Sequence, residues 1–189
     1  MKTHRVSFLC VALSCVFLPL NNAYGQNPLL KELATEDRAS RDGTKITRTD
    51  EERIKLALEL IAQGALITPE DKFNAALVLQ HTGLTFCEKR LVGHSPDHYL
   101  LAHYLFKSAF ESGYKGAGYL VAASIDRYLS FTEGYQKYGT NRINNQATGE
   151  EELVPVDRKT TDSERAKYGV SPLAELLKQY PEQAHRKPQ

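Results

Sequence analysis

Apolar residues recur every three or four positions along most of the chain, which is the spacing typical of amphipathic helices. Several of these stretches follow a helix start signal. Thr49 lies three residues before Glu52, the spacing of a capping box, and residues 161–164 repeat this arrangement. Pro69 directly follows Thr68, as is common at the first turn of a helix. The pattern therefore predicts five to seven helices with short connections, so that neighbouring helices pack antiparallel.

The pattern changes after Gly134. Two short, partly alternating runs, 138–143 and 152–156, flank residues 144–149, which are rich in turn-forming residue types. This arrangement predicts a β-hairpin. The predicted fold class is therefore mainly α, a compact helical domain of antiparallel helix hairpins with a small C-terminal β-hairpin.

The first 25 residues have the pattern of an export signal. A basic start precedes the uncharged apolar run 6–20, and small residues follow at 23 and 25. The run is shorter than the roughly 20 apolar residues of a membrane span, although a retained anchor or a lipid on Cys15 is the alternative. We expect removal of 1–25, one helical domain over 26–180 and a disordered tail over 181–189. The expected location is periplasmic or secreted, with no membrane contact after signal removal.

Charge and cysteine content exclude some kinds of partner and of covalent link. The chain is nearly neutral, with 24 Lys and Arg against 23 Asp and Glu. Binding to a nucleic acid requires clustered positive charge, so we expect no nucleic-acid partner. Cys87 is the single cysteine beyond the signal, so the exported chain has no intrachain disulfide. Cys87 is either a reactive thiol, with basic residues following it, or simply a free or buried cysteine.

No motif indicates a cofactor. The chain has no phosphate loop and no dinucleotide-binding glycine motif. His94, His98 and His103 lie close in sequence, but they do not have the spacing of a known metal site. We therefore predict neither a cofactor nor a metal.

Asp126 and Arg127 stand together in the middle of an otherwise apolar helix. Adjacent helix residues point about 100° apart, so the two side chains do not pair face to face. Arg127 could recognise a carboxylate or a phosphate. Alternatively, the two residues form an internal clamp, in which Asp126 accepts N–H groups of the loop 136–140. Arg127 would then pair with one of three acids, Asp37, Asp157 or Asp162.

The loop after this helix carries Gln136, Tyr138 and Thr140 around Gly139, which can adopt a positive φ. Tyr138 and Thr140 are two positions apart, so on an extended segment they face the same side. These polar side chains either line a pocket with Arg127 or hydrogen-bond the hairpin onto the helix.

Gln80 and His81 come at the C-terminal end of a predicted helix. A neutral histidine at this position could act as a general base, and a satisfied structural histidine is the alternative. No Ser or Cys nucleophile stands at a recognisable spacing from it.

The segment 97–129 resembles Sel1-like and tetratricopeptide helical repeats. Small residues such as Ala102, Ala109 and Ala122 have the spacing of the contact residues in those repeats. The resemblance covers about one repeat, whereas a solenoid generally needs three or more. Ordinary packing of a helix hairpin is therefore the alternative.

A second resemblance extends over residues 37–170. Its motifs, in chain order, are Asp37…Arg41, Gln80-His81, Asp126-Arg127, Gln136-x-Tyr138-Gly139-Thr140 and Asp162-x-x-Arg165-x-x-x-Gly169-Val170. This ordered set resembles an uncharacterised bacterial family, classed as a domain of unknown function. Asn141 and the longer segment 87–94 depart from the pattern of that family. The resemblance implies a shared fold and a polar site, but it implies no reaction.

We therefore predict an exported helical domain that binds a small anionic ligand or a protein segment. The predicted binding residues are Gln80, His81, Asp126, Arg127, Gln136, Tyr138 and Thr140. One alternative is an enzyme that uses His81 and Asp126 as acid and base, with Arg127 holding an anion. The other is a protein-interaction module of the helical-repeat type.

Overall fold

The computed structural model describes residues 25–183, apart from 82, 83, 88, 89, 94 and 146, with the backbone alone at 84–87 and 90–93. The predicted export signal lies almost wholly outside these residues. The described residues form seven α-helices and two small antiparallel sheets. The helices are α1 (Pro28–Arg41), α2 (Asp50–Ala62), α3 (Pro69–Gln80), α4 (Pro96–Glu111), α5 (Gly118–Thr132), α6 (Asp162–Lys167) and α7 (Leu173–Gln179). The strands are β1 (Leu84–Cys87), β2 (Arg90–Gly93), β3 (Arg142–Asn144) and β4 (Glu151–Leu153). The predicted fold class, mainly α with a C-terminal hairpin, is confirmed.

The helix starts follow the local sequence signals. Thr49 Oγ1 accepts the N–H of Glu52 at 3.2 Å, and the Glu52 carboxylate accepts the N–H of Thr49 at 2.8 Å. Helices α3 and α6 begin with the same reciprocal pair. Helix α4 has Pro96 in its first turn, but the Ser95 side chain makes no capping bond. Each capping box satisfies two N–H groups that lack a partner within the helix.

The core is built around α3, of whose 12 residues nine are buried. Its apolar side chains pack against α4 and α5 in one cluster, where the Phe73 and Phe106 rings meet edge to face with centroids 5.5 Å apart. Buried Ala102 and Ala122 allow close contact within the same cluster. This packing fixes the C-terminal end of α3 beside α1 and α5, and that end carries two of the predicted site residues.

The hairpin of β1 and β2 was not predicted. Leu84 lies opposite Gly93, and Cys87 lies opposite Arg90, in an antiparallel register. Its strands have four residues each, and runs this short give little periodic signal. The side chain of Cys87 and all of His94 lie outside the described residues, so the predictions about them stay predictions.

The C-terminal hairpin pairs Arg142 with Leu153 and Asn144 with Glu151. The chain returns to it after α7: the N–H of Leu153 donates to the Pro181 carbonyl at 2.8 Å, and the N–H of Gln183 donates to the Leu153 carbonyl at 2.9 Å. The prediction of a disordered tail beginning at residue 181 is therefore wrong for 181–183. Leu153 is fully buried, so its backbone groups need partners, and these residues supply them. Residues 184–189 lie outside the described part.

Within the described ranges, no helix combines the length and the apolar character that a membrane span would need.

Candidate functional site

Asp126 is fully buried on α5, and its carboxylate holds the loop that follows the helix. One oxygen accepts the N–H groups of Lys137 at 2.8 Å and Tyr138 at 2.7 Å. The other accepts the N–H groups of Gly139 and Thr140, both at 2.9 Å, and the Thr140 hydroxyl at 2.8 Å. Gly139 has a φ of 98°, which L residues rarely adopt. Its backbone conformation contributes to turning successive N–H groups towards one carboxylate.

These bonds decide the role of Asp126. Burial raises the pKa of Asp126, whereas the hydrogen bonds from the loop lower it. Both oxygens are occupied by donors of the chain itself. The predicted internal clamp is therefore confirmed for Asp126, and the geometry does not support the alternative in which it acts as an acid or base on a substrate.

Gln136 closes the same loop from inside. Its side chain is fully buried; Nε2 donates to the carbonyls of Asn141 at 2.9 Å and Val154 at 2.8 Å. Its Oε1 accepts the N–H of Asn141 at 2.7 Å. The side-chain amide thus bonds as an additional peptide group between the loop and the segment after β4. Every hydrogen-bonding group of Gln136 that a ligand could use is already engaged, so Gln136 is structural.

Tyr138 packs into the core rather than lining an open surface. It is 6% exposed, and its ring meets the Tyr168 ring edge to face at 5.4 Å. Burial and neighbouring negative charges raise the pKa of Tyr138 to about 12. The buried position of Tyr138 favours the alternative in which the loop holds the hairpin on the helix over the one in which it lines a pocket with Arg127.

The cation of this loop is Arg165, not Arg127. Arg165 is 1% exposed; its Nε donates to the Tyr138 carbonyl at 3.1 Å, and its Nη1 lies 3.4 Å from Asp162. The peptide groups of Tyr138 are therefore held on one side by the carboxylate of Asp126 and on the other by a guanidinium. We call Asp126, residues 136–141 and Arg165 the loop lock.

The prediction that Arg127 pairs with Asp37, Asp157 or Asp162 is wrong. Its Nη1 donates to the backbone carbonyl of Gln80 at 2.7 Å, and its guanidinium lies over the Tyr99 ring, 5.6 Å from the centroid. Among the described residues, no carboxylate forms an ion pair with Arg127. Burial lowers the pKa of Arg127, and the positive charge of Arg41 adds to this effect. The guanidinium is nevertheless charged at all ordinary pH values.

His81 is oriented by a carboxylate of α1. Its Nδ1 donates to Asp37, whose side chain is 2% exposed, whereas the imidazole is 28% exposed. Asp37 also lies 3.5 Å from Arg41 Nη2. With Nδ1 committed, Nε2 has no partner among the described residues. A neutral imidazole held in this way presents Nε2 as an acceptor.

Two arginines meet at the C-terminal end of α3. Arg41 Nη2 donates to the His81 carbonyl at 3.1 Å and to Asp50 at 2.8 Å, while Arg127 caps the Gln80 carbonyl. The last carbonyls of a helix have no partner within it, and cations are favoured there. We define the α3 junction as Asp37, Arg41, Gln80, His81, Tyr99 and Arg127.

Gln80 differs from Gln136 because its side-chain oxygen lacks a hydrogen-bond partner within the part of the chain that the structure describes. The residue is 2% exposed, and this Oε1 atom is buried. Leaving a buried acceptor unpaired costs about 1–3 kcal/mol. It is therefore an exception that requires an explanation.

The seven predicted binding residues thus fall into two groups. The α3 junction contains Gln80, His81 and Arg127, and the loop lock contains Asp126, Gln136, Tyr138 and Thr140. Asp37 and Arg41 were not among the predicted binding residues, although they are the first motif of the second resemblance and lie four positions apart on one helix. Tyr99 had no distinguishing signal.

The described residues contain no group of three or more His, Cys, Asp or Glu side chains placed to hold a metal ion. His103 Nδ1 lies 2.9 Å from the Val121 carbonyl. Burial lowers the pKa of both His98 and His103.

Comparison of the chain with family models, with curated proteins and with solved structures gave no match. The resemblances to the uncharacterised bacterial family and to helical repeats therefore stay predictions, and function must be argued from the geometry.

Proposed function

We propose that this protein is an exported helical domain that binds a small anionic ligand at the α3 junction. The observation that carries the proposal is the half-buried guanidinium of Arg127, which has no carboxylate partner among the described residues. A charge removed from water is costly unless an opposite charge compensates it. A bound anion would supply that charge, and the planar guanidinium matches a carboxylate with two parallel hydrogen bonds.

The neighbouring charged side chains do not neutralise the positive charge of Arg127. Arg41 is near Arg127, but its charge is shared between Asp37 at 3.5 Å and Asp50 at 2.8 Å. The partly exposed imidazole of His81 borders the same helix end. Among the described residues, the junction thus has one guanidinium without a carboxylate counterion, beside a histidine side chain that solvent reaches.

Thermal unfolding with added anions tests the proposal. Acetate should raise the Tm relative to chloride at equal ionic strength, since a ligand at 100 times its Kd adds about 2.7 kcal/mol of stability. Arg127→Gln should abolish the shift. Arg158→Gln is the matched control, because Arg158 is an exposed arginine paired with Glu182 on the surface, and it should keep the shift. An equal acetate shift in folded Arg127→Gln would remove Arg127 from the site.

A second candidate function is acid/base catalysis by His81, favoured by the bond from its Nδ1 to Asp37. A carboxylate in this position fixes the ring and stabilises the protonated imidazole. If a substrate is found, Asp37→Asn should lower kcat and leave KM nearly unchanged, because Arg127 is untouched. A change confined to KM would contradict a catalytic arrangement of this pair.

A further inference from the structure

The C-terminal segment 173–183, which we call the strap, pairs with β4 as an added strand. The N–H of Leu153 donates to the Pro181 carbonyl at 2.8 Å, and the N–H of Gln183 donates to the Leu153 carbonyl at 2.9 Å. Glu182 therefore lies beside Leu153 as in a parallel pair of strands. The strap thus occupies backbone groups that a strand edge would otherwise present unpaired.

Two side chains of the strap also fit this edge. Tyr180 and Glu182 are two positions apart and Tyr180 has an extended backbone, so both side chains face one side. The Arg142 guanidinium lies over the Tyr180 ring, 4.6 Å from its centroid. The Glu182 carboxylate accepts the N–H of Val156 at 2.7 Å and pairs with Arg158. The edge therefore fits an extended segment that carries an aromatic residue and, two positions later, an acid.

The strap can leave without opening the core. The structure describes all of residues 173–183, and none of them is buried. Leu176 packs on the core cluster but is itself only partly buried. Leu153 beneath the strap is, by contrast, fully buried, and Val156 is buried as well. A terminal segment of this kind opens at a low free-energy cost, whereas the backbone groups that it leaves behind need new partners.

The segment that fits this edge in the structure is the strap, and every copy of the chain carries one. The connection before the strap is short, since Val170 is buried and Ser171 and Pro172 are exposed. A change of backbone angles in this connection would release the strap. The strap of a second copy would then make the same contacts with the edge, which is why exchange of an identical element is a low-cost route to a dimer.

We infer that the β4 edge binds the strap of a second copy, so that two copies exchange straps and form a symmetric dimer. Closure within one copy competes with this exchange, because a short connection gives the chain's own strap an effective concentration in the millimolar range. The inference does not depend on the proposed function, since it uses no residue of the α3 junction.

A labelled peptide with the sequence of residues 173–183 tests the edge, in fluorescence anisotropy with the full chain. Gln183→Pro removes the N–H that bonds to Leu153, which loosens the chain's own strap but leaves the edge intact. This variant should bind the peptide at least about tenfold more tightly than the wild type, the factor by which one lost hydrogen bond raises the open fraction. Lys178→Gln is the matched control, because Lys178 is exposed on α7, and it should bind the peptide as the wild type does.

Sedimentation velocity of the full chain tests whether the occupant is a second copy. The wild type should form a dimer as its concentration approaches about 1 mM, the scale of the competing effective concentration. Excess peptide should return the dimer to monomers, since it occupies the same edges. Deleting Ser171 and Pro172 shortens the connection and disfavours closure within one copy, so this variant should dimerise at a concentration at least about tenfold lower.

The inference is overturned by any of the following results. A folded Gln183→Pro chain that binds the peptide no better than the wild type would show that the edge does not accept a strand from another molecule. A dimer that excess peptide leaves intact would use another surface. A wild type that stays monomeric up to about 1 mM, although the Gln183→Pro chain binds the peptide, would mean that the edge serves a different partner. Circular dichroism establishes that each variant is folded, and the wild-type measurements need no variant.

Discussion

Replacing Asp126 by asparagine tests whether the loop lock is a main determinant of stability. The carboxylate accepts five hydrogen bonds, two at one oxygen and three at the other. An asparagine amide keeps one acceptor atom and places an NH₂ group where the other oxygen stood. The best orientation puts the NH₂ group against Lys137 and Tyr138, whose N–H groups then lose their acceptor.

The expected cost follows from these two donors. Each buried N–H left without an acceptor costs about 1–3 kcal/mol, which gives about 2–6 kcal/mol for Asp126→Asn. The total stability of a domain is about 5–15 kcal/mol, so the loss is a large fraction of it. The three remaining bonds also weaken, because charge-assisted hydrogen bonds are stronger than neutral ones.

Urea unfolding followed by far-UV circular dichroism measures this loss. Asp42→Asn is the control, since Asp42 is exposed at the end of α1 and a substitution there should change stability by less than about 0.5 kcal/mol. If Asp126→Asn unfolds within about 1 kcal/mol of this control, the five contacts do not contribute as described. The m-value must stay unchanged for the comparison to hold.

Three further predictions concern the loop lock. Thr140→Val should cost about 1 kcal/mol in urea unfolding, because it removes the hydroxyl bond to the carboxylate but keeps the N–H bond; no change would mean that the hydroxyl bond adds nothing. Gly139→Ala should destabilise more than Gly149→Ala, although both positions have positive φ. An added Cβ at 139 lies 2.8 Å from Leu176 Cδ1, whereas one at 149 has no atom of the described residues within 4 Å; equal losses of Tm would contradict this contact. In the folded state, burial raises the pKa of Tyr138 from 10.0 to about 12, so folding favours the neutral phenol. The resulting stability is fully present below pH 10.0 and is lost as the pH rises towards about 12. Urea midpoints of Tyr138→Phe should therefore fall less steeply over this range than those of the wild type, and parallel curves would refute the burial argument.

The sequence was informative wherever the deciding contacts are local. The capping boxes involve residues three positions apart, and the clamp of Asp126 involves a loop whose first residue bonded to the carboxylate lies 11 positions later. Near neighbours in the chain meet with few alternatives, so residue type and spacing predict the partner. The export signal, the function and the ligand stay predictions, because the described residues do not test them.

Contacts between residues remote in sequence could not be predicted from residue type and spacing. Several acids were possible partners for Arg127, but its guanidinium donates to the backbone carbonyl of Gln80, because the C-terminal end of α3 lies beside it. Asp162, one of the three acids predicted for Arg127, pairs with Arg165 instead, because α6 places Arg165 three residues after it. Whether Gln80 Oε1 has a partner among the described residues depends on side chains that pack around it from other elements, and periodicity along one helix does not reveal these.

The two groups of contacts also enclose very different lengths of chain. The bonds of Asp126 link residues 11–14 positions apart, whereas those of His81 to Asp37 and of Arg127 to Gln80 link residues 44 and 47 positions apart. Each doubling of a closed loop costs about 0.6 kcal/mol more in chain entropy. The α5 segment with its loop can therefore stay closed when other helices separate, while the α3 junction exists only when α1, α3, α4 and α5 are assembled. A ligand at the junction would accordingly slow hydrogen exchange across all four helices and stabilise the whole domain rather than one loop.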